Sequence, residues 1–156
     1  MAFSEKWLTL REQSDHASRD SQLLAQAIAV SGENPVIVDL GSGTGSTVRA
    51  LAPFLPENAK WRLVDNDQSL LEVASAELAE RATLHPVDIA DLNNLPLQDA
   101  TLVTASALID LVSRQWLEEF AERVQVPVYF ALSYDGAMNW IPDNPLDNSI
   151  TEAFNN

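Results

Sequence analysis

Four residues within a stretch of seven carry the clearest chemistry: Asp39, Gly41, Gly43 and Gly45, in Val36-Ile37-Val38-Asp39-Leu40-Gly41-Ser42-Gly43-Thr44-Gly45. Glycines at alternate positions allow positive φ and let a ligand approach the backbone with no Cβ in the way. The carboxylate two residues ahead of the first glycine selects among ligands. It repels a pyrophosphate and attracts an ammonium or a sulfonium. A dinucleotide-binding turn reads G-x-G-x-x-G. Here its third glycine position is Ser46, and the spacing is G-x-G-x-G. Residue types exclude other chemistries. The chain has no Cys, so thiol nucleophiles, disulfides and iron–sulfur ligation are ruled out. With only His16 and His85, a multi-histidine metal site lacks ligands, and no metal is expected.

The elements that must hold these residues alternate along the chain. A short helix is expected over Ser4 to Arg11, and a second, capped by Ser14 or Asp15, through Ile28. Gly32 and Asn34-Pro35 end it. Pro35 to Leu40 is a continuous apolar run with β-branched residues, the pattern of a buried parallel strand. A helix follows from Ser46 to about Leu51. Lys60 to Asp65 reads as strand two, and Asp67 caps a helix through Ala79. Thr83 to Asp88 is a weak third strand, in which Pro86 requires an edge position. Ala100 to Ser106 is strand four, Arg114 to Val124 a helix that Asp110 can cap, and Val126 to Ser133 strand five. A short helix is expected around Ser149 to Phe154. Strand–helix alternation gives right-handed crossovers and an α/β, Rossmann-like three-layer sandwich. The expected organisation is a helical segment at 1–33, a ligand-binding core at 34–134 and an acidic tail at 135–156.

The Asp39-x-Gly41-x-Gly43-x-Gly45 turn after a hydrophobic strand resembles the first motif of class I S-adenosylmethionine-dependent methyltransferases. The resemblance spans roughly residues 34 to 133. It implies strand order 3-2-1-4-5 and S-adenosylmethionine as cofactor. In that family the loop, here with Ser42, wraps the amino-acid part of the cofactor. Asp65 with Asn66 then takes the ribose hydroxyls, and Asp88 with Ile89 takes the adenine. The segment leaving strand four, Ala105 and Ser106 onward, flanks the sulfonium and the substrate. For polar groups near the reacting centre, the rim position nominates Ser106, Asp110, Tyr134 and Asp135. Arg11 and Arg19 are further candidates, for the cofactor carboxylate.

Two alternatives stay open. The chain is a binding module or truncated fragment without transfer activity, because the family's sixth and seventh strands cannot be placed. Less favoured is a nicotinamide-dependent oxidoreductase domain. An uncovered strand five would be an association hazard, so a cover from the tail or from a second copy of the chain is expected. The net charge of −14 argues for a small-molecule methyl acceptor and against nucleic acid and acidic membranes. The lack of a secretory pattern makes a cytoplasmic location the expectation.

Overall fold

The computed structural model describes residues 5–76, 78–134 and 136–155. Five strands form one parallel sheet: β1 (Val36–Leu40), β2 (Lys60–Val64), β3 (Ala82–His85), β4 (Leu102–Ser106) and β5 (Val128–Ala131). Their order is β3-β2-β1-β4-β5, as the sequence resemblance implied. Winding therefore reverses between β1 and β4, and the crevice at their carboxyl ends is where ligands bind in such sheets.

Side chains alternate across β1, so each face builds its own core. Ile37 joins Leu63, Leu102 and Tyr129 beneath helices α2 (Ser21–Val30), α3 (Ser46–Leu51) and α4 (Gln68–Ser75). Val38 and Leu40 join Val103 and Leu108 beneath α5 (Arg114–Arg123), where Trp116 and Phe120 stack at 4.8 Å. Asp39 lies on the Ile37 side, in register with Leu63 and Thr104.

The N-terminal segment differs from expectation. Helix α1 runs over Glu5–Ala17, without a break at Ser14. Asp15 does not cap; its carboxylate pairs with Arg11 one turn earlier, at 2.8 Å. The break falls at Ser18–Asp20, because Asp20 caps α2 by accepting from the backbone N–H of Gln22 and Leu23 at 2.9 and 2.8 Å. Likewise Ser113, not Asp110, caps α5, accepting from the Trp116 N–H at 3.1 Å. Pro86 falls just beyond β3, so the edge strand keeps its ladder.

The tail contributes one helix, α6 (Asp147–Asn155). The expected cover of β5 is not a strand from the tail. Among the described residues β5 pairs only with β4, and Val128 is 47% exposed. Among the described residues no helix is long and apolar enough to cross a membrane.

Candidate functional site

A cavity of about 430 Å³ opens at the carboxyl ends of β1, β2 and β4. Its floor is the glycine loop. Gly41, Gly43 and Gly45 all have positive φ, at 62°, 51° and 86°. The loop is held from the side. Asp65 accepts from the Gly43 N–H at 2.9 Å and, through its other oxygen, from the Asp67 N–H at 3.0 Å. The Ser42 N–H reaches the Val64 carbonyl at 3.0 Å. The Ser42 hydroxyl is buried at the cavity surface and has no partner.

The walls come from three further strand ends. Asp65, Asn66 and Asp67 follow β2. Asp88 and Ile89 follow β3; the Asp88 carboxylate accepts from the Ala90 N–H at 2.9 Å, and the Ile89 carbonyl accepts from the Trp116 indole at 2.8 Å. Ser106 ends β4 and Leu108 follows it.

Helix α1 forms the roof, with Leu8, Arg11 and Asp15 facing the cavity. Arg49 of α3 fastens it, donating to Glu12 at 2.6 Å and to the Thr44 carbonyl of the glycine loop at 2.8 Å. This bond holds the Glu12 carboxyl below the usual carboxylate range. The His16 ring lies 3.0 Å from the Ser46 carbonyl.

Three of the residues read as cofactor-binding lie outside the cavity surface. Ala105 is buried in the core behind it. Gly45 faces α4, where a Cβ would come within 3.1 Å of the Ala74 Cβ and 3.2 Å of its Cα. Asp39 is 0% exposed beneath the loop. One of its oxygens accepts from the Thr104 hydroxyl at 2.6 Å, and the other has no partner. Burial pushes its carboxyl up to about 7, against the pull of Thr104, the Arg19 charge and Thr47.

Asp110 and Tyr134 line a second, more open depression with Ser18 and Ser133. It shares Arg11, Asp15, Ala107 and Leu111 with the cavity. The Tyr134 hydroxyl donates to Asn155 of α6 at 2.9 Å. Asp135 lies outside the described residues. Trp140 is 43% exposed and holds no buried position. Burial lowers the His85 pKa, and His85 is not part of the cavity surface. Arg11 does reach the cavity, but Arg19 instead donates to Ser106. Sequence reasoning missed Asp15, Thr47 and Asp67 as lining residues. Asp67 was legible as a helix cap two residues past Asp65, and a cap at that rim also faces the ligand crevice.

The family model described as "Methyltransferase domain" matches residues 37–126, from β1 to just before β5. The chain belongs to that family. S-adenosylmethionine is the cofactor that goes with this family, as the glycine-loop resemblance implied. No curated protein sequence matches the chain.

Solved structures agree on the scaffold of the methyltransferase domain. The methyltransferase in complex with the Trm112 activator from Haloferax volcanii superposes with a TM-score of 0.64 at 23% identity. That match covers 82% of this chain and 57% of the other. An RNA methyltransferase from Salinibacter ruber, in complex with S-adenosyl-L-homocysteine, gives 0.55 at 23% identity, covering 81% and 83%. An S-adenosylmethionine-dependent methyltransferase from Clostridium acetobutylicum gives 0.54 at 19%, covering 74% and 49%. The chain spans about half the length of several such structures.

These matches overturn the expected partners. The same scaffold serves RNA methylation in the Salinibacter protein and stands beside a protein activator in the Haloferax one. Excluding nucleic acid in favour of a small-molecule acceptor was therefore unsound. Net charge describes a whole surface, whereas an RNA contact needs only a local patch.

Proposed function

We propose that this methyltransferase domain binds S-adenosylmethionine in the 430 Å³ cavity and transfers its methyl group to an acceptor entering through the adjoining depression. One observation carries the reading: a glycine-loop floor with an unpartnered buried Ser42 hydroxyl, walled by Asp65, Asp67 and Asp88. Those groups fit a ligand rich in hydroxyl and amino donors. The volume is also ordinary for a small-molecule site.

In this reading Asp65 and Asp67 would accept from the ribose hydroxyls. Asp88 would accept from the adenine amino group, with Ile89 and Leu70 against the ring. Ser42 and the loop backbone would hold the amino-acid part. The buried Asp39 carboxylate would favour the positive end of the ligand through its field, without contact. The bound cofactor supplies an activated methyl group on a sulfonium, and little acid–base help is then needed. The chain's own contribution is alignment and exclusion of water, with α1 as the roof. Asp110 and Tyr134 are among the polar groups on the acceptor side, with Ser18 and Ser133.

Calorimetric titration with S-adenosylhomocysteine tests the binding half, with a nicotinamide dinucleotide as the competing ligand. Binding of the dinucleotide alone overturns the proposal. Transfer of a labelled methyl group into RNA, protein and metabolite fractions, compared side by side, tests the transfer half and identifies the acceptor class. Cofactor binding with no labelling in any fraction would mark the chain as a binding module.

A further inference from the structure

Arg19 lies in the turn between α1 and α2, yet its guanidinium reaches the carboxyl end of β4. Its Nη2 donates to the Ser106 hydroxyl at 2.7 Å, and that hydroxyl shares a second bond of 3.0 Å with Thr47. The guanidinium carbon sits 6.0 Å from the centre of the Tyr129 ring. Its Nε and Nη1 are buried and have no hydrogen-bond partner. A buried cation with unmet donors is strongly unfavourable unless a counter-charge is near. That counter-charge is Asp39, itself fully buried, with one oxygen unpartnered. The Arg19 charge pulls the Asp39 carboxyl toward ionisation, and burial outweighs that pull.

We propose that Arg19 is a positioning residue for the cavity: it fixes the Ser106 hydroxyl on the cavity wall and brings a positive charge to the buried pocket of Asp39 beneath the glycine loop. The site is then complete only when the turn between α1 and α2 is docked. This rests on the reading of the cavity as the cofactor site. The groups acting on Asp39 come from four elements. Thr104 of β4 and Thr47 of α3 donate to it or ease its charge, Asp65 after β2 repels it, and Arg19 is the cation among them. Without Arg19, burial and Asp65 both favour the neutral acid. Asp39 then ionises only at higher pH, and attraction for an ammonium-bearing ligand appears only there.

The test is calorimetric titration of S-adenosylhomocysteine between about pH 6 and 9, bracketing the Asp39 value. It uses the wild type, Arg19→Met, Arg19→Lys and Ser106→Ala. In the wild type, affinity rises as pH passes through about 7. Arg19→Met binds about tenfold more weakly at neutral pH, an ordinary size for coupled sites, and its rise moves to higher pH. Arg19→Lys keeps the charge and the midpoint but loses the Nη2 bond to Ser106, so it weakens binding without a shift, as Ser106→Ala does. Arg19→Met with wild-type affinity and an unmoved profile overturns the proposal. Failure of the wild type to bind S-adenosylhomocysteine at all overturns the proposed function instead. If Arg19→Met alone does not fold, the double variant with Asp39→Asn tests the same link. Removing both charges restores folding, and a double variant as unfolded as the single one overturns the proposal.

Discussion

Gly43 and Gly45 stand two residues apart, yet a methyl group would meet different neighbours at each. At Gly43 it meets the end of the Leu8 side chain at 3.4 Å; at Gly45 it meets the Ala74 backbone at 3.2 Å. A side-chain tip can swing away and a packed helix backbone cannot. Gly45→Ala is therefore expected to cost about 2 kcal/mol or more in urea unfolding. Gly43→Ala costs less, because its methyl meets only a side-chain tip and the positive φ of 51° is what remains to be borne. Asp39 gives a second expectation at this scale. Its folded pKa is raised from 3.8 to about 7, so the folded protein holds the proton more tightly than the unfolded chain. The stability this provides is fully present below about pH 4 and is lost as pH rises through about 7. Glu12, lowered from 4.5, works in the opposite sense: its stabilisation is present above 4.5 and is lost as pH falls through its lower folded value. Asp39→Asn should flatten the melting-temperature curve between about pH 4 and 7, the window set by the 3.8 and about 7 values. An unchanged slope would refute the assignment. The sequence showed the types and spacing of these residues. It did not show that Asp39 is covered, because burial of a strand residue depends on α3 and on the Arg19 turn, both of which pack from outside its local window.

At the scale of elements, α1 is the least self-sufficient piece. Its internal support is the Arg11–Asp15 pair, and its docking relies on Glu12 with Arg49 and on His16 with Ser46. Glu12→Gln removes the charge from the Arg49 bond. Hydrogen exchange over residues 5–17 should then rise several-fold while β1 and β4 keep wild-type protection. Asp20→Ala removes the α2 cap and is expected to cost about 1 kcal/mol. β1, β4 and β5 were legible as local apolar runs and β2 and β3 from the alternation around them, and the observed bounds fall within three residues of the expected ones. The boundary between α1 and α2 was not. Ser14, Asp15 and Asp20 all carry capping side chains, and the choice among them is made by Arg11, which occupies Asp15, and by contacts with α3 some 30 residues away. The Arg19–Ser106 bond, 87 residues apart in the chain, leaves no trace in spacing or periodicity.

At the scale of the molecule, 23 acidic residues face nine basic ones. Like charges on one compact body repel, and salt screens them. The melting temperature is therefore expected to rise as sodium chloride increases from about 10 mM to about 0.5 M, a range over which the Debye length shrinks several-fold. A flat or falling curve would mean that ion pairs such as Glu12–Arg49 outweigh the net repulsion. The same charge misled the inference about partners, since it averages over a surface on which binding is local. Fold class was legible in the strand–helix alternation, and the strand order through the family resemblance of the glycine turn. The acceptor was not, because no one motif of the sequence specifies it.

The position of α1 across the cavity has a practical consequence. The chain has two lysines, Lys6 on the roof helix and Lys60 at the start of β2, on the rim opposite the cavity. It has no thiol. Amine-reactive dyes, directed away from the α-amino group by working at high pH, would mark the roof helix and the base of the sheet, and energy transfer between them would report whether their separation changes on ligand binding without altering a single wall residue.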